Sequence, residues 1–147
     1  MMQVIESLLL LNRTIVSSDC EKSMAVLGEH VPLEIHRYPS GEEYGTWVIP
    51  PQWNVNKAEL SDGDKVIASY QDHPLFLAPY SRSFTGWVSR EELLKHVRSA
   101  KHQPDSYSYD HRFAYDFNMR LTNWGITLPY SLVQQLDRER YFVDIQV

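Results

Sequence analysis

The most informative segment of this 147-residue chain is Pro39-Ser-Gly-Glu-Glu-Tyr-Gly-Thr-Trp-Val-Ile-Pro-Pro-Gln-Trp-Asn-Val55. It begins with a turn, since proline presets φ and glycine tolerates positive φ. The aromatic and β-branched run that follows predicts a strand, and Pro50-Pro51 ends it because proline cannot donate to a β-ladder. Trp47 and Trp53 flank the two prolines. They allow two interpretations: a core corner of a β domain, or an aromatic platform for a ligand.

The composition is that of a soluble globular protein the size of one domain. Hydrophobic residues make up 43% and charged residues 22% of the chain, and the net charge is −5. A negative surface without a basic stripe argues against binding to a nucleic acid backbone. The single cysteine excludes an internal disulfide and indicates a reducing compartment. The apolar run Leu8–Leu11 is too short to span a bilayer, so we expect a cytoplasmic protein without a membrane segment.

The first part of the chain is predicted to be helical. Apolar residues at helical spacing predict a helix over residues 2–11, whose wide apolar face needs a partner surface. A second helix is predicted with Asp19 as its N-cap and Gly28 at its end. Alternating side chains then predict a strand over Val31–Tyr38.

The rest of the chain is predicted to be rich in β structure. The clearest signal is a hairpin, with strands over residues 55–60 and 65–70 joined at Asp62-Gly63. Ser89, with Glu92 three residues later, predicts an N-capped helix. The other predicted elements are a strand over 75–80, a loop over 81–86, a strand over 126–128, a helix beginning at Pro129 and a terminal strand over 141–147.

These elements predict a mainly β protein of the α+β class. We expect a jelly-roll-like or sandwich β domain with a few peripheral helices. The shift from helix-rich to β-rich sequence near Tyr38 predicts a division into residues 1–38 and 39–147.

No recognised catalytic or metal-binding motif is present, and none of the six histidines has a ligand spacing. His96 follows Glu92 by one helical turn, which can serve a metal but is more typical of a solvated surface pair. We therefore predict no catalytic and no metal-ligating residue. A more distinctive cluster is aromatic: Tyr107, Tyr109, Arg112, Tyr115 and Trp124. Its arginine can bind a carboxylate beside the rings, or it can be the paired arginine of a core cluster.

The chain resembles a group of bacterial zinc aminopeptidase-like proteins. In that group a small β domain is inserted into the catalytic domain, and a winged helix follows at the C-terminus. The first match consists of Pro39, Ser40, Gly41, Trp47, Ile49, Pro50, Trp53, Asn54, Val55 and Ala58. Further matches follow in order: Leu11–Ser17, Pro79–Ser81, Ser89–Leu93, Gln103–Asp105, Tyr109, Arg112, Tyr115, Trp124-Gly125 and Tyr141–Ile145.

The resemblance implies that residues 1–38 form a helical segment like the start of the catalytic domain, and that residues 39–147 form the inserted-type β domain. The family holds zinc with His, Asp and Glu residues in segments beyond the point that corresponds to Val147. The resemblance therefore implies no zinc, no catalytic residue and no peptidase activity for this chain alone.

We expect a non-catalytic part that borders the active-site cleft or an oligomer interface. Its partner would be the remainder of the catalytic domain, or a second copy in a homo-oligomer. The candidate contact residues are Tyr109, Arg112, Tyr115, Trp124, Trp47 and Trp53. The alternative is a free-standing aromatic-rich β module that binds carbohydrate or peptide through Trp47, Trp53 or Trp87.

Overall fold

The structure, a computed structural model, describes residues 2–14, 16–110 and 123–147. The chain divides into two compact units, Met1–Asn54 and Val55–Val147. The predicted division after residue 38 concerned the parts of a longer protein, and it stays a prediction.

The first unit contains helices α1 (Met2–Leu8) and α2 (Ser18–Gly28). Both lie where helical periodicity predicted a helix. The predicted N-cap of α2 is wrong by two residues, because the Ser17 side chain accepts the hydrogen bond from the Cys20 backbone N–H. Asp19 lies instead in the first turn, where a carboxylate stabilises the positive end of the helix dipole.

Two predictions for strands in this unit are wrong. The run up to Ile49 is not one strand, because it folds back at Gly45 (φ +64°) into the short hairpin of β1 (Glu43–Tyr44) and β2 (Trp47–Val48). Residues 31–38 carry the alternation of a strand but belong to no strand of the described chain. A strand needs a neighbour that satisfies its backbone groups, and alternation alone does not supply one.

The second unit is organised around a four-stranded antiparallel sheet. Its strands are β3 (Lys57–Ser61), β4 (Val66–Ser69), β5 (Phe84–Ser89) and β8 (Arg140–Gln146), in the order β4-β3-β8-β5. The β3–β4 hairpin confirms the prediction, with Gly63 at φ +98° in its turn. The last strand of the sequence lies in the middle of the sheet, between β3 and β5.

Short elements pack around this sheet. The predicted capped helix is confirmed as α3 (Arg90–His96), since Ser89 Oγ accepts from the Glu92 N–H. A strand and a helix are also confirmed as β7 (Ile126–Thr127) and α4 (Tyr130–Val133), the latter with Pro129 at its N-cap. A parallel pair joins β7 to β6 (Val97–Arg98).

The strand predicted over residues 75–80 is wrong. A 3₁₀ helix covers Pro74–Phe76, because proline presets its first turn and the His73 imidazole accepts from the Leu75 N–H at 3.1 Å. The loop predicted over residues 81–86 is wrong at its end, since β5 begins at Phe84. Gly86 weakens the strand signal there, since glycine is depleted in strands.

The core lies on one face of the sheet. Leu60 stands opposite Val143 and Ala58 opposite Ile145, and all four side chains are buried. Trp87 and the charged side chains of Lys57 and Arg140 lie outside this core. The mainly β, α+β class is confirmed, whereas the jelly-roll-like or sandwich arrangement stays a prediction.

Candidate functional site

The two tryptophans of the proline corner lie in different environments. Trp47 is 58% exposed, whereas Trp53 is 7% exposed and its backbone N–H donates to the Val16 carbonyl at 2.9 Å. Burial of Trp53 favours the core interpretation for that side chain. Trp47 keeps an open aromatic surface within the first unit.

Part of the tyrosine and arginine cluster lies outside the described residues. This applies to Arg112 and Tyr115, so their predicted contact role stays a prediction. Tyr109 is 61% exposed. Tyr107 stacks on the His73 ring at 4.9 Å between ring centroids, and burial, together with the negative charge of Asp72, raises the pKa of its phenol.

Trp124 is the centre of a stack of three rings. Its indole lies 3.9 Å from the His96 ring at an interplanar angle of 8°, and 5.0 Å from the Phe84 ring at 22°. Trp124 itself is only 5% exposed. Helix α3 supplies His96 and strand β5 supplies Phe84, so the stack joins the helix to the sheet.

His96 is held by two hydrogen bonds in addition to the stack. Its Nδ1 lies 2.8 Å from the Trp124 carbonyl oxygen, and its Nε2 lies 3.2 Å from Glu92 Oε1. Both partner atoms are oxygens that accept, so a ring N–H of His96 donates to at least one of them. Only 15% of the His96 side chain is exposed. The prediction of a solvated surface pair is therefore wrong for the histidine.

The carboxylate next to this histidine is held in its charged form. A hydrogen bond from Lys95, and then one from His96, lower the pKa of Glu92. Glu92 is the more exposed member of the pair, with 46% of its side chain accessible. These contacts thus fix the His96 ring beside the negative charge of Glu92.

An open cavity of about 310 Å³ lies beside the stack. Its lining includes Arg82, Phe84, Glu92, His96 and Trp124. A cavity of this size, with rings and charges of both signs, can receive a small polar ligand. Among the described residues, no group of three or more His, Cys, Asp or Glu side chains could hold a metal ion.

Trp124 was a candidate from its sequence, but the two rings that pack against it were not predicted. For His96, the pattern that could have identified it as a site residue was its spacing of one helical turn from Glu92. Phe84 showed no such pattern, because residues 81–86 were predicted to be a loop. His96 and Trp124 are 28 residues apart in the sequence, and Phe84 is farther still, so their contact depends on the fold and not on any local pattern.

The fold defines a mainly β module of the α+β class, built around a four-stranded antiparallel sheet. The chain belongs to two overlapping families, both described as domains of unknown function: DUF2172, which matches residues 52–147, and DUF4910, which matches residues 2–83.

Two known proteins are similar to the chain. One is a Clostridium acetobutylicum protein provisionally named as a polysaccharide biosynthesis protein with aminopeptidase-like domain, 28% identical over 144 residues. The match covers 97% of this chain and 32% of that protein. The other is a crystal structure of a protein from the same species provisionally described as a peptidase. It has a TM-score of 0.82, 25% identity, and coverage of 98% of this chain and 33% of that one.

These relatives confirm the resemblance at the level of aminopeptidase-like proteins. The chain spans about a third of the length of the relatives it matches. Helices that are both long and apolar enough to cross a bilayer are absent from the described part of the chain.

Proposed function

We propose that this chain is the non-catalytic N-terminal part of a longer zinc aminopeptidase-like protein. In this proposal the first unit packs against the remainder of the catalytic domain. The β domain borders the active-site cleft or an oligomer interface, with Tyr109, Arg112, Tyr115 and Trp124 as candidate contacts. The match to one third of each relative supports the proposal.

The observation that carries the proposal is the exposed apolar surface of the first unit. Helix α1 exposes Met2 by 66% and Ile5 by 51%, and Leu9 just after it is 61% exposed. Positions 2, 5 and 9 fall on one side of a helix. Exposed apolar surface of this kind marks an interaction site. The other exposed large side chains in this unit are Leu10, Met24, Val31, Leu33, Ile35, Tyr38, Tyr44, Trp47 and Val48.

Residues 31–38 support the same proposal. Val31, Leu33 and Ile35 alternate as in a strand, and they are 49%, 42% and 49% exposed. An edge that meets a neighbouring strand would satisfy the backbone and bury these side chains. We propose that this segment becomes a strand when it pairs with the remainder of the protein.

Catalysis is assigned to the remainder in this proposal. Zinc-dependent hydrolysis needs a metal-activated water and a carboxylate base. In the family that the chain resembles, the zinc ligands follow in the segments beyond this region. Zinc would act there, and the present residues would shape the border of the cleft. By itself the chain is then no peptidase.

Two measurements test the proposal. The first is the mass of the native gene product in its source cell, which should be roughly three times that of this chain, given the share of each relative that is matched. The second is amide hydrogen exchange. Residues 31–38 should exchange rapidly in the 147-residue chain and slowly in the longer protein, while β8 is protected in both. A native product that ends at Val147, or equal exchange of residues 31–38 in both proteins, would overturn the proposal.

A second candidate function is a β module that binds carbohydrate or peptide. The exposure of Trp87 (47%) in the second unit favours it, because an open indole offers a flat apolar face. The name of one relative, which refers to polysaccharide biosynthesis, points in the same direction.

A further inference from the structure

We propose that the outer face of the four-stranded sheet is a carbohydrate-binding site with Trp87 as its stacking platform. The inference deepens the second candidate function by naming its site and ligand class, and it does not depend on the first. The ligand class is a neutral oligosaccharide. Its pyranose ring would stack its C–H face on the indole, and its hydroxyl groups would bind the polar side chains beside it.

Three neighbours hold the Trp87 ring in place while it remains 47% exposed. The Arg140 guanidinium lies over the ring, 4.7 Å from its centroid, and Phe142 packs edge-on at 5.5 Å. Gly63 of the β3–β4 turn makes room for the third contact, since a Cβ on this residue would lie 2.7 Å from the indole Cη2. A side chain fixed in this way loses little conformational entropy when a ligand binds.

A polar row lies next to the platform on the same face. Strand register places Glu59, Asp144 and Thr85 opposite one another, one row along from Phe142 and Trp87. Successive rows on one face of a sheet are about 7 Å apart, so a ligand of two sugar rings can reach both.

The polar groups of this row are ordered by one another. Asp144 accepts hydrogen bonds from Lys57 at 2.8 Å, Thr85 at 2.9 Å and Gln146 at 3.1 Å, and Lys57 also lies 3.1 Å from Glu59. The Lys57 ammonium has a further N–H, the Gln146 amide has a carbonyl oxygen that can accept, and the Glu59 carboxylate has further lone pairs. Ordered donors and acceptors of both kinds suit a ligand rich in hydroxyl groups.

The balance of charge and apolar surface favours a neutral sugar over other ligands. Two cations, Lys57 and Arg140, face two carboxylates, Glu59 and Asp144, so the face has no net charge to attract a polyanion. Protein interfaces have an apolar core. Here the indole, with the half-buried Phe142, stands among polar and charged side chains.

The test is titration of the 147-residue chain with neutral oligosaccharides by ¹H–¹⁵N NMR, followed through the Trp87 indole N–H in the parent chain and through the backbone amides of β5 and β8 in every variant. The probes are cellotetraose, maltotetraose and tri-N-acetylchitotriose. We expect at least one of them to give a saturable shift with a Kd on the order of 1 mM or tighter. Trp87→Ala should weaken binding at least about tenfold, and Trp87→Phe should weaken it less. Trp47→Ala removes a tryptophan that is more exposed than Trp87 and should leave the Kd unchanged.

The proposal fails if no probe gives a saturable shift, if Trp87→Ala binds as the parent chain does, or if the shifts follow Trp47 instead. Retained dispersion in the spectrum of each variant shows that it is folded. Should Trp87→Ala not fold, Trp87→Phe and the indole shift of the parent chain still decide the outcome. Failure here leaves the native-mass test untouched, so the two proposals are separable.

Discussion

Replacing His96 by alanine tests the three-ring stack that joins helix α3 to the sheet. The substitution removes a ring stacked on Trp124 at 3.9 Å. Aromatic pairs contribute about 0.5–1.5 kcal/mol beyond their burial. It also removes the 2.8 Å hydrogen bond to the carbonyl of the buried Trp124, and a buried group left without its partner costs about 1–3 kcal/mol. The second hydrogen bond reaches the more exposed Glu92 and adds little.

The expected loss of unfolding free energy is therefore about 3 kcal/mol. In a unit the size of Val55–Val147, this corresponds to a fall in Tm of roughly 12–24 °C, since about 1 kcal/mol shifts Tm by 4–8 °C. Thermal unfolding followed by near-ultraviolet circular dichroism reports directly on the packed rings. Guanidinium denaturation gives the free energy on an independent scale.

Two further variants separate the contributions. His96→Phe keeps a ring over Trp124 but no hydrogen bond, so its loss should be about two-thirds of that of His96→Ala. His102→Ala removes an exposed histidine and should cost less than about 0.5 kcal/mol. If His96→Ala were no more destabilising than His102→Ala, the stack would contribute nothing and the reasoning would be refuted.

Two other predictions concern a helix cap and a buried carboxylate. Ser89→Ala removes the acceptor for the Glu92 N–H and should lower the unfolding free energy, measured by urea denaturation, by about 1 kcal/mol. Ser106→Ala, at an exposed serine, is the control, and an equal loss in the two variants would contradict the role of the cap. Hydrogen bonds, of which the one from Lys57 contributes most, lower the pKa of Asp144 below its ordinary value of 3.8. The stability that this carboxylate contributes is therefore fully present above that pH. It is lost as the pH falls through the folded-state pKa. Asp144→Asn should be less stable than the parent chain near neutral pH, and this difference in unfolding free energy should become smaller below about pH 4. A difference that does not change with pH would show that this carboxylate does not titrate as proposed.

Local interactions were predicted most reliably from the sequence. The Ser89 cap, the turn at Gly63 and the helix after Pro129 all follow from contacts within about four residues. Strand β8 was predicted because its alternation is strict, with Tyr141, Val143 and Ile145 all buried. Its position between β3 and β5 could not be predicted, since that depends on pairings with residues more than fifty positions away.

The missed elements share a physical cause. Strand β5 alternates, but Gly86 and small polar residues take positions where bulky side chains would have marked a strand. His96 and Phe84 meet Trp124 from distant parts of the sequence, so a candidate that looked like a binding tryptophan lies buried between two rings. Trp124 was singled out by its residue type, and the fold shows that rings pack on it and that only 5% of the residue is left exposed, at the edge of the open cavity.

Residues 31–38 show the opposite case, in which the sequence predicts a strand and the described structure has none. Side chains alternate there as clearly as in β8, yet Val31, Leu33 and Ile35 remain exposed. The two segments differ in their neighbouring strands. Strand β8 pairs with a strand on each side, whereas residues 31–38 pair with no strand among the described residues. Alternation of apolar and polar side chains is typical of a strand with one buried face, yet here the apolar side chains are exposed. The proposed pairing with the remainder of a longer protein accounts for both the pattern and the exposure.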